Sequence, residues 1–354
     1  MRTEPVTKYY TSMDRMLDLF DKEARQMPVQ TQSMNAYNAW KKATKKKLAE
    51  ITGLSIMERC DLNPQKLETV KLEGMTREKW LIQTEPLVYM PFYVLVPDVQ
   101  KPNNACIITP HGHEGGAKNA VSGRSEIPAI KDKIAEYGYD YGYQFAKQGY
   151  VVFSPDARNM GERRESSRQS DNEADFLGAT CAQLNNMAIC LNRTVTGMWV
   201  WDLMRLVDYI ETRTNCDASK IGCAGLSGGG LQSLWFTAFD ERVKCAIVSG
   251  YFYGYKDALL KVVNCACNYV PGLWKAVDMG DIAALIAPRP LLIETGDKDS
   301  LNGPSGVPNV TSQVDIAKAA YELFGGHKDI IHVVEEGEHK WFGNRSEWFM
   351  EEYL

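Results

Sequence analysis

No stretch of this 354-residue chain approaches the roughly 20 consecutive apolar residues that a membrane span requires. The opening residues, MRTEPVTKYYTSMDRMLDLF, lack the apolar centre of a secretory signal, so a cytoplasmic protein without a membrane partner is expected. Charge of one sign is also scarce. Lys and Arg number 40 against 45 Asp and Glu, a formal net charge of -5, and no basic stripe with interleaved aromatics is present, which excludes nucleic acid as an expected partner. The nine cysteines are an odd number and cannot all pair. Most lie in apolar segments (Cys106, Cys181, Cys190, Cys223, Cys245), so buried free thiols in a reducing compartment are expected. Cys265 and Cys267 form a C-x-C pair without the second pair that a closed metal site needs, and no metal is assigned to them.

What is present is ordinary globular composition, 44% hydrophobic and 24% charged, in a length that supports a sizeable core. Apolar residues recur at helical spacing between Tyr9 and Gly53, with Met13, Met16, Leu17 and Phe20 in one stripe and Tyr37, Trp40, Thr44, Lys47, Leu48 and Ile51 in another. Two amphipathic helices follow, separated near Pro28. Residues 1–60 are read as a helical extension packed on a catalytic domain of residues 61–354. An exposed stripe there would pair subunits, so a homo-oligomer stays open.

From Leu67 the period changes to that of strands. VKLEG, EKWLIQTE and MPFYVLVP read as an antiparallel lead-in. Then ACIITP, YVVFSP, KIGCAG, CAIVSG, RPLLIETG and IIHVVEE alternate with helical stretches, which predicts an α/β fold: a mostly parallel twisted sheet with helices on both faces. Ligands of such sheets sit beyond the carboxyl ends of the strands, where the polar clusters of this chain fall.

The sharpest local pattern is Gly225-Leu226-Ser227-Gly228-Gly229-Gly230, between the strand KIGCAG and the apolar stretch LQSLWFTAF. A serine between glycines on a strand-to-helix turn is lifted into a cleft at a helix N-terminus, where negative charge is favoured. Such a hydroxyl needs a base. The chain has five histidines, and His339, in EEGEHKWFG just beyond the last strand, is the one placed to reach the cleft in the order serine, acid, histidine. His332 lies inside a strand and His327 in a helix-to-strand turn. The orienting carboxylate comes from RPLLIETGDKDSLNGP, where Asp299 is placed to turn back towards a histidine and Asp297 to cap the turn. Backbone N–H groups of Gly228 and His113 are the candidate oxyanion donors. His111 and His113 alone are two ligands without a third, so neither is assigned to a metal. Asp156, Arg158, Glu162, Arg163 and Arg164 read as scaffolding that pairs across loops, with an anionic-substrate clamp as the alternative. Tyr251, Phe252, Tyr253, Tyr255 and Trp341 read as packing, with stacking on a sugar as the alternative.

With these residues in place the chain resembles the acetyl xylan esterase and dienelactone hydrolase branch of the α/β-hydrolase superfamily from about Pro91 onward. The resemblance rests on PHGHEGG, SPDARNMGERR, WDLMRLVDYI, GLSGGG, VSGYFYGYKDALL, CNYVPGL, APRPLLIETGDKD and GEHKWFG, in that order. It implies the α/β-hydrolase fold, a nucleophile at Ser227, an acid at Asp299 rather than Asp297, a base at His339, and oxyanion donors at His113 and Gly228. It further implies a serine carboxylic-ester hydrolase that needs no cofactor and removes small acyl groups from a carbohydrate or similar alcohol. Cleavage of a lactone or peptide by the same residues, and a silent binding protein on the same fold, are the competing readings.

Overall fold

The computed structural model describes residues 6–326 and 328–354. Its centre is a nine-stranded sheet in the order β1-β2-β3-β5-β4-β6-β7-β8-β9. The strands are β1 (Gln65–Leu72), β2 (Met75–Glu85), β3 (Val88–Pro97), β4 (Cys106–Ile108), β5 (Val151–Pro155), β6 (Ile221–Leu226), β7 (Val243–Ser249), β8 (Leu291–Gly296) and β9 (Ile330–Glu335). The first three pair antiparallel and β3 joins β5 antiparallel; every pairing from β5 through β4 to β9 is parallel. Each segment assigned from periodicity thus becomes a strand, and the antiparallel lead-in is as expected.

Helices used below are α1 (Met13–Glu23), α2 (Met34–Ile51), α3 (Pro128–Tyr137), α4 (Tyr141–Lys147), α5 (Cys181–Ile189), α6 (Val195–Ile210), α7 (Gly228–Phe239), α8 (Val307–Glu322) and α9 (Ser346–Tyr353). The strand alternation divides the core into two layers. Cys106, Ile108, Val151, Phe153, Ile221 and Cys223 face a cluster built with α2, α6, α7 and α8. Their neighbours Ile107, Val152, Ala224 and Leu226 face a second cluster with α3, α4 and α9. Period-2 side-chain alternation in strands buried on both faces requires this.

The two N-terminal helices form where predicted but bury different amounts. Tyr37, Trp40, Thr44 and Leu48 of α2 are buried, and Tyr37 donates its hydroxyl to the Ala284 carbonyl at 2.8 Å. In α1 no residue is buried: Leu17 and Phe20 are half-buried, while Met13 and Met16 of the predicted stripe are exposed. Its aromatic contact is Phe20 against Trp274, with ring centroids 5.9 Å apart, and Asp21 and Glu23 pair with Lys256 and Lys275, contacts that leave Met13 and Met16 uncovered. All nine cysteines are free thiols. Five are buried, but Cys190 is exposed, a correction to its expected burial: it caps the C-terminal end of α5, where the apolar run leaves the core. No helix among the described residues is long and apolar enough to cross a membrane.

Buried charge knits the loops at the carboxyl ends of the strands. Lys118 meets Asp156, which follows β5, and Glu162. Arg158 grips Asp202 of α6 with Nε and Nη2, both at 2.9 Å, and reaches Glu85 with Nη1 at 2.8 Å. Arg163 also reaches Asp202, at 2.7 Å. Both arginines are thus held by protein carboxylates. The two guanidinium groups keep the Asp202 carboxyl down at about 2, against the opposing effect of its burial. Replacing Asp202 with Ala leaves both arginines buried without their shared partner, and denaturant unfolding should show a loss of about 3 to 5 kcal/mol. A loss within about 0.5 kcal/mol, typical of an inert surface change, would contradict this account.

Glu294 on β8 is the opposite case, 1% exposed and with no cation paired to it among the described residues. Its Oε1 accepts the Gly343 N–H at 3.1 Å, and burial pushes its carboxyl up to about 7. The folded chain therefore binds this proton more tightly than the unfolded chain. The resulting stability is complete below the unfolded value near 4.5 and is lost as pH rises through about 7. In Glu294→Gln that loss disappears, so the variant should gain on the native protein between about pH 5 and pH 8, by up to about 3 kcal/mol. Parallel stability curves over this range would refute the assignment.

Candidate active site

Ser227 sits between β6 and α7 with φ 60° and ψ -119°, a strained backbone for a residue with a side chain. Its N–H donates to the Ser249 carbonyl at 2.9 Å, which ties the turn to the end of β7. Gly225 makes the turn possible, because a β-carbon there would lie 2.4 Å from the Gly229 carbonyl carbon and oxygen. Strand and helix therefore approach closely, and the first N–H groups of α7, beginning with Gly228, lie beside the hydroxyl with no partner from within the helix.

The structure brings His339 and Asp299 together. His339 Nδ1 is 2.7 Å from Asp299 Oδ2, and Asp299 is buried, its Oδ1 accepting the Leu301 N–H at 2.8 Å. Asp297 points elsewhere, its Oδ1 accepting the Gly337 N–H at 2.8 Å from an exposed position, so it ties its loop to the one after β9 and does not reach His339. With Nδ1 engaged, His339 keeps Nε2 for the cleft. Its ring lies against Gly250, where a β-carbon would be 2.9 Å from Cε1. Ser227, His339 and His113 line one cleft of about 540 Å³.

The remaining histidines are occupied otherwise. His111 is 1% exposed, with Nδ1 at 2.9 Å from the Gly112 carbonyl and Nε2 accepting the Ala157 N–H at 3.0 Å. Burial lowers its pKa to about 4, which keeps it neutral. Both of its ring nitrogens are thus engaged, and it is not among the groups that gather around His113. His332 on the edge strand β9 lies 3.1 Å from Thr295 Oγ1 and is also lowered to about 4 by burial. His327 lies outside the described residues.

The His113 loop abuts Gly228: a β-carbon on Gly228 would be 3.5 Å from Gly112 Cα and 2.8 Å from His113 Nδ1. The two candidate oxyanion residues are thus adjacent. Tyr139 donates its hydroxyl to the His113 carbonyl at 2.7 Å and so holds this loop, a role that no spacing in the sequence announces. Tyr137 is also new to the site, edge-on to His339 with centroids 6.4 Å apart. By contrast Tyr251, Phe252, Tyr253 and Tyr255 are core residues, and Trp341 stacks on Tyr141 at 4.6 Å. The imidazole of His113 lies among three thiols: its Nε2 is 3.4 Å from Cys181 Sγ and 3.5 Å from Cys267 Sγ, with Cys265 in the same group. Among the described residues these four carry the ligand atoms able to hold a metal ion.

Comparison with known proteins gives the family and the fold. The Abhydrolase family model matches residues 8–302, a span that includes His113, Ser227 and Asp299, while His339 lies beyond its end. "Putative hydrolase YtaP" of Bacillus subtilis (strain 168) is 25% identical over 274 residues, which is 72% of this chain and 81% of that protein. A Bacteroides fragilis NCTC 9343 structure named as a putative acetyl xylan esterase superposes with a TM-score of 0.73 at 17% identity, covering 93% of this chain and 83% of its own. A glucuronoyl esterase from Solibacter usitatus gives 0.64 at 16% identity, covering 93% and 95%. At such identities the superpositions speak for the fold, and the family match for descent. This chain belongs to the Abhydrolase family and is a hydrolase with the α/β-hydrolase fold.

Proposed function

We propose that the protein is a serine carboxylic-ester hydrolase that works through an acyl-enzyme on Ser227. The observation that carries this reading is the Asp299–His339 pair, 2.7 Å apart, on the cleft that also holds the strained Ser227 turn. Ser227 Oγ attacks the ester carbonyl as His339 Nε2 takes its proton, and Asp299 holds the imidazole in the tautomer with the proton on Nδ1. The tetrahedral oxyanion is met by the N–H groups of Gly228 and His113. Collapse expels the alcohol, protonated by His339, and a water activated by the same imidazole then releases the acid.

The substrate class we favour is a small acyl ester, acetyl foremost, of a carbohydrate or similar alcohol. Its support is the sequence resemblance together with the names of the superposing proteins, which are esters-of-carbohydrate hydrolases of two kinds. Lactones and peptides are the rival bonds, and a panel of acetylated sugars, aryl esters, lactones and peptide amides separates them. Turnover of the amides alone would end the ester reading.

A serine-directed phosphonate should label the native protein and leave Ser227→Ala unlabelled; equal labelling of both would remove Ser227 from the chemistry. Asp299→Asn keeps the shape but presents the wrong tautomer, so ester kcat should fall by roughly 1,000- to 10,000-fold with KM little changed. Retention of more than about a tenth of kcat would show that another group orients His339.

A further inference from the structure

We infer that His113, Cys181, Cys265 and Cys267 form a tetrahedral zinc site beside the Ser227 cleft. The four ligand atoms, one imidazole nitrogen and three sulfurs, all lie within 4.8 Å of one another. Zinc takes thiolate sulfur at about 2.3 Å and imidazole nitrogen at about 2.0 to 2.1 Å, so the nitrogen-to-sulfur edge of a regular tetrahedron is about 3.5 Å. His113 Nε2 stands 3.4 Å from Cys181 Sγ and 3.5 Å from Cys267 Sγ. Those edges already have the length that a bound ion requires.

The chemistry of the donor set selects the ion. Three thiolates and one imidazole in tetrahedral array suit zinc, whereas magnesium and calcium take oxygen ligands. On binding, the three thiols give up their protons to solvent and the centre carries a net charge of -1. The second shell is in place. Asn268 Nδ2 points at Cys267 Sγ at 3.7 Å and donates to the Cys265 carbonyl at 3.0 Å, and the side-chain oxygen of Asn268 accepts the Tyr251 hydroxyl at 2.8 Å. Cys181 and Cys267 are buried, while His113 and Cys265 are half-buried on the cleft and provide the route of entry.

The ligands come from three separate segments: the loop after β4, the first turn of α5, and the stretch after β7. Read alone, the C-x-C pair lacked a second pair and His113 lacked a third ligand; the fold supplies each to the other. With four protein ligands no coordination position is left for water, so the ion positions residues and does not activate a nucleophile. Coordination through Nε2 holds the proton on Nδ1, the nitrogen facing Gly228, and pins the loop that carries the His113 N–H. That positioning consequence rests on the proposed function; the metal site itself does not.

Full-length protein from zinc-supplemented culture, desalted and measured by plasma mass spectrometry, should carry close to one zinc per chain. Cys181→Ser and Cys265→Ser should lose most of it, and Cys190→Ser, remote from the cluster, should keep it. Should either variant fail to fold, cobalt(II) titration of the native chain decides: a tetrahedral thiolate site gives intense visible bands with thiolate-to-cobalt charge transfer. Native protein that holds below about a tenth of an equivalent of zinc and shows no such bands would overturn the proposal, as would a Cys181–Cys265 disulfide in unreduced peptide maps. Loss of phosphonate labelling alone would count against the hydrolase mechanism and leave the metal site standing.

Discussion

The site depends on one strained turn. Ser227 occupies a backbone region that costs a residue with a side chain roughly 1 to 3 kcal/mol, and it stays there because both flanks are immovable. Every residue of β6 is buried, as is nearly all of α7. The turn is therefore over-determined by packing, and its consequences propagate outward. The hydroxyl stands at the helix N-terminus, the Ser249 carbonyl anchors its N–H, and the His113 loop has room to rest on Gly228 because that residue lacks a side chain.

Around this turn the loops are held by polar groups placed where water cannot reach. Lys118 with Asp156 ties the segment after β4 to the end of β5, and Arg158 with Asp202 and Glu85 ties the latter to α6 and β2. Glu294 holds the His339 loop differently, since its carboxyl accepts the Gly343 N–H from that loop. The geometry of Ser227, His339 and Asp299 is thus set in part by residues that do not line their cleft. Pairing decides the sign of each: Asp202 between two guanidiniums stays ionised, while Glu294, buried with no cation paired to it among the described residues, holds its proton to neutral pH.

The cysteine and histidine cluster adds a third kind of restraint. A zinc ion there would join the His113 loop, α5 and the stretch after β7 at a single point, where His113 otherwise meets Cys181 and Cys267 through weak sulfur contacts. Ordinary packing of three thiols against an imidazole supplies little directional force, since a thiol is a weak donor and a weak acceptor.

Strand positions, the antiparallel lead-in and the serine turn were legible in the sequence because each is a local matter: side-chain alternation of period two, glycines where backbones must touch, and strand-turn-helix order. The pairing of Asp299 with His339 was legible only as a choice between two nearby carboxylates, and the distance of 2.7 Å is a tertiary fact. The shallow seat of α1 and the exposure of Cys190 were not legible, because an apolar stripe states that a surface wants cover and not how much cover exists. Least visible of all were Tyr139 beneath His113 and the meeting of His113 with Cys181, Cys265 and Cys267. Such contacts join residues tens to more than a hundred positions apart, and no period or spacing along a chain encodes a distance that only the closing of the sheet and its loops creates.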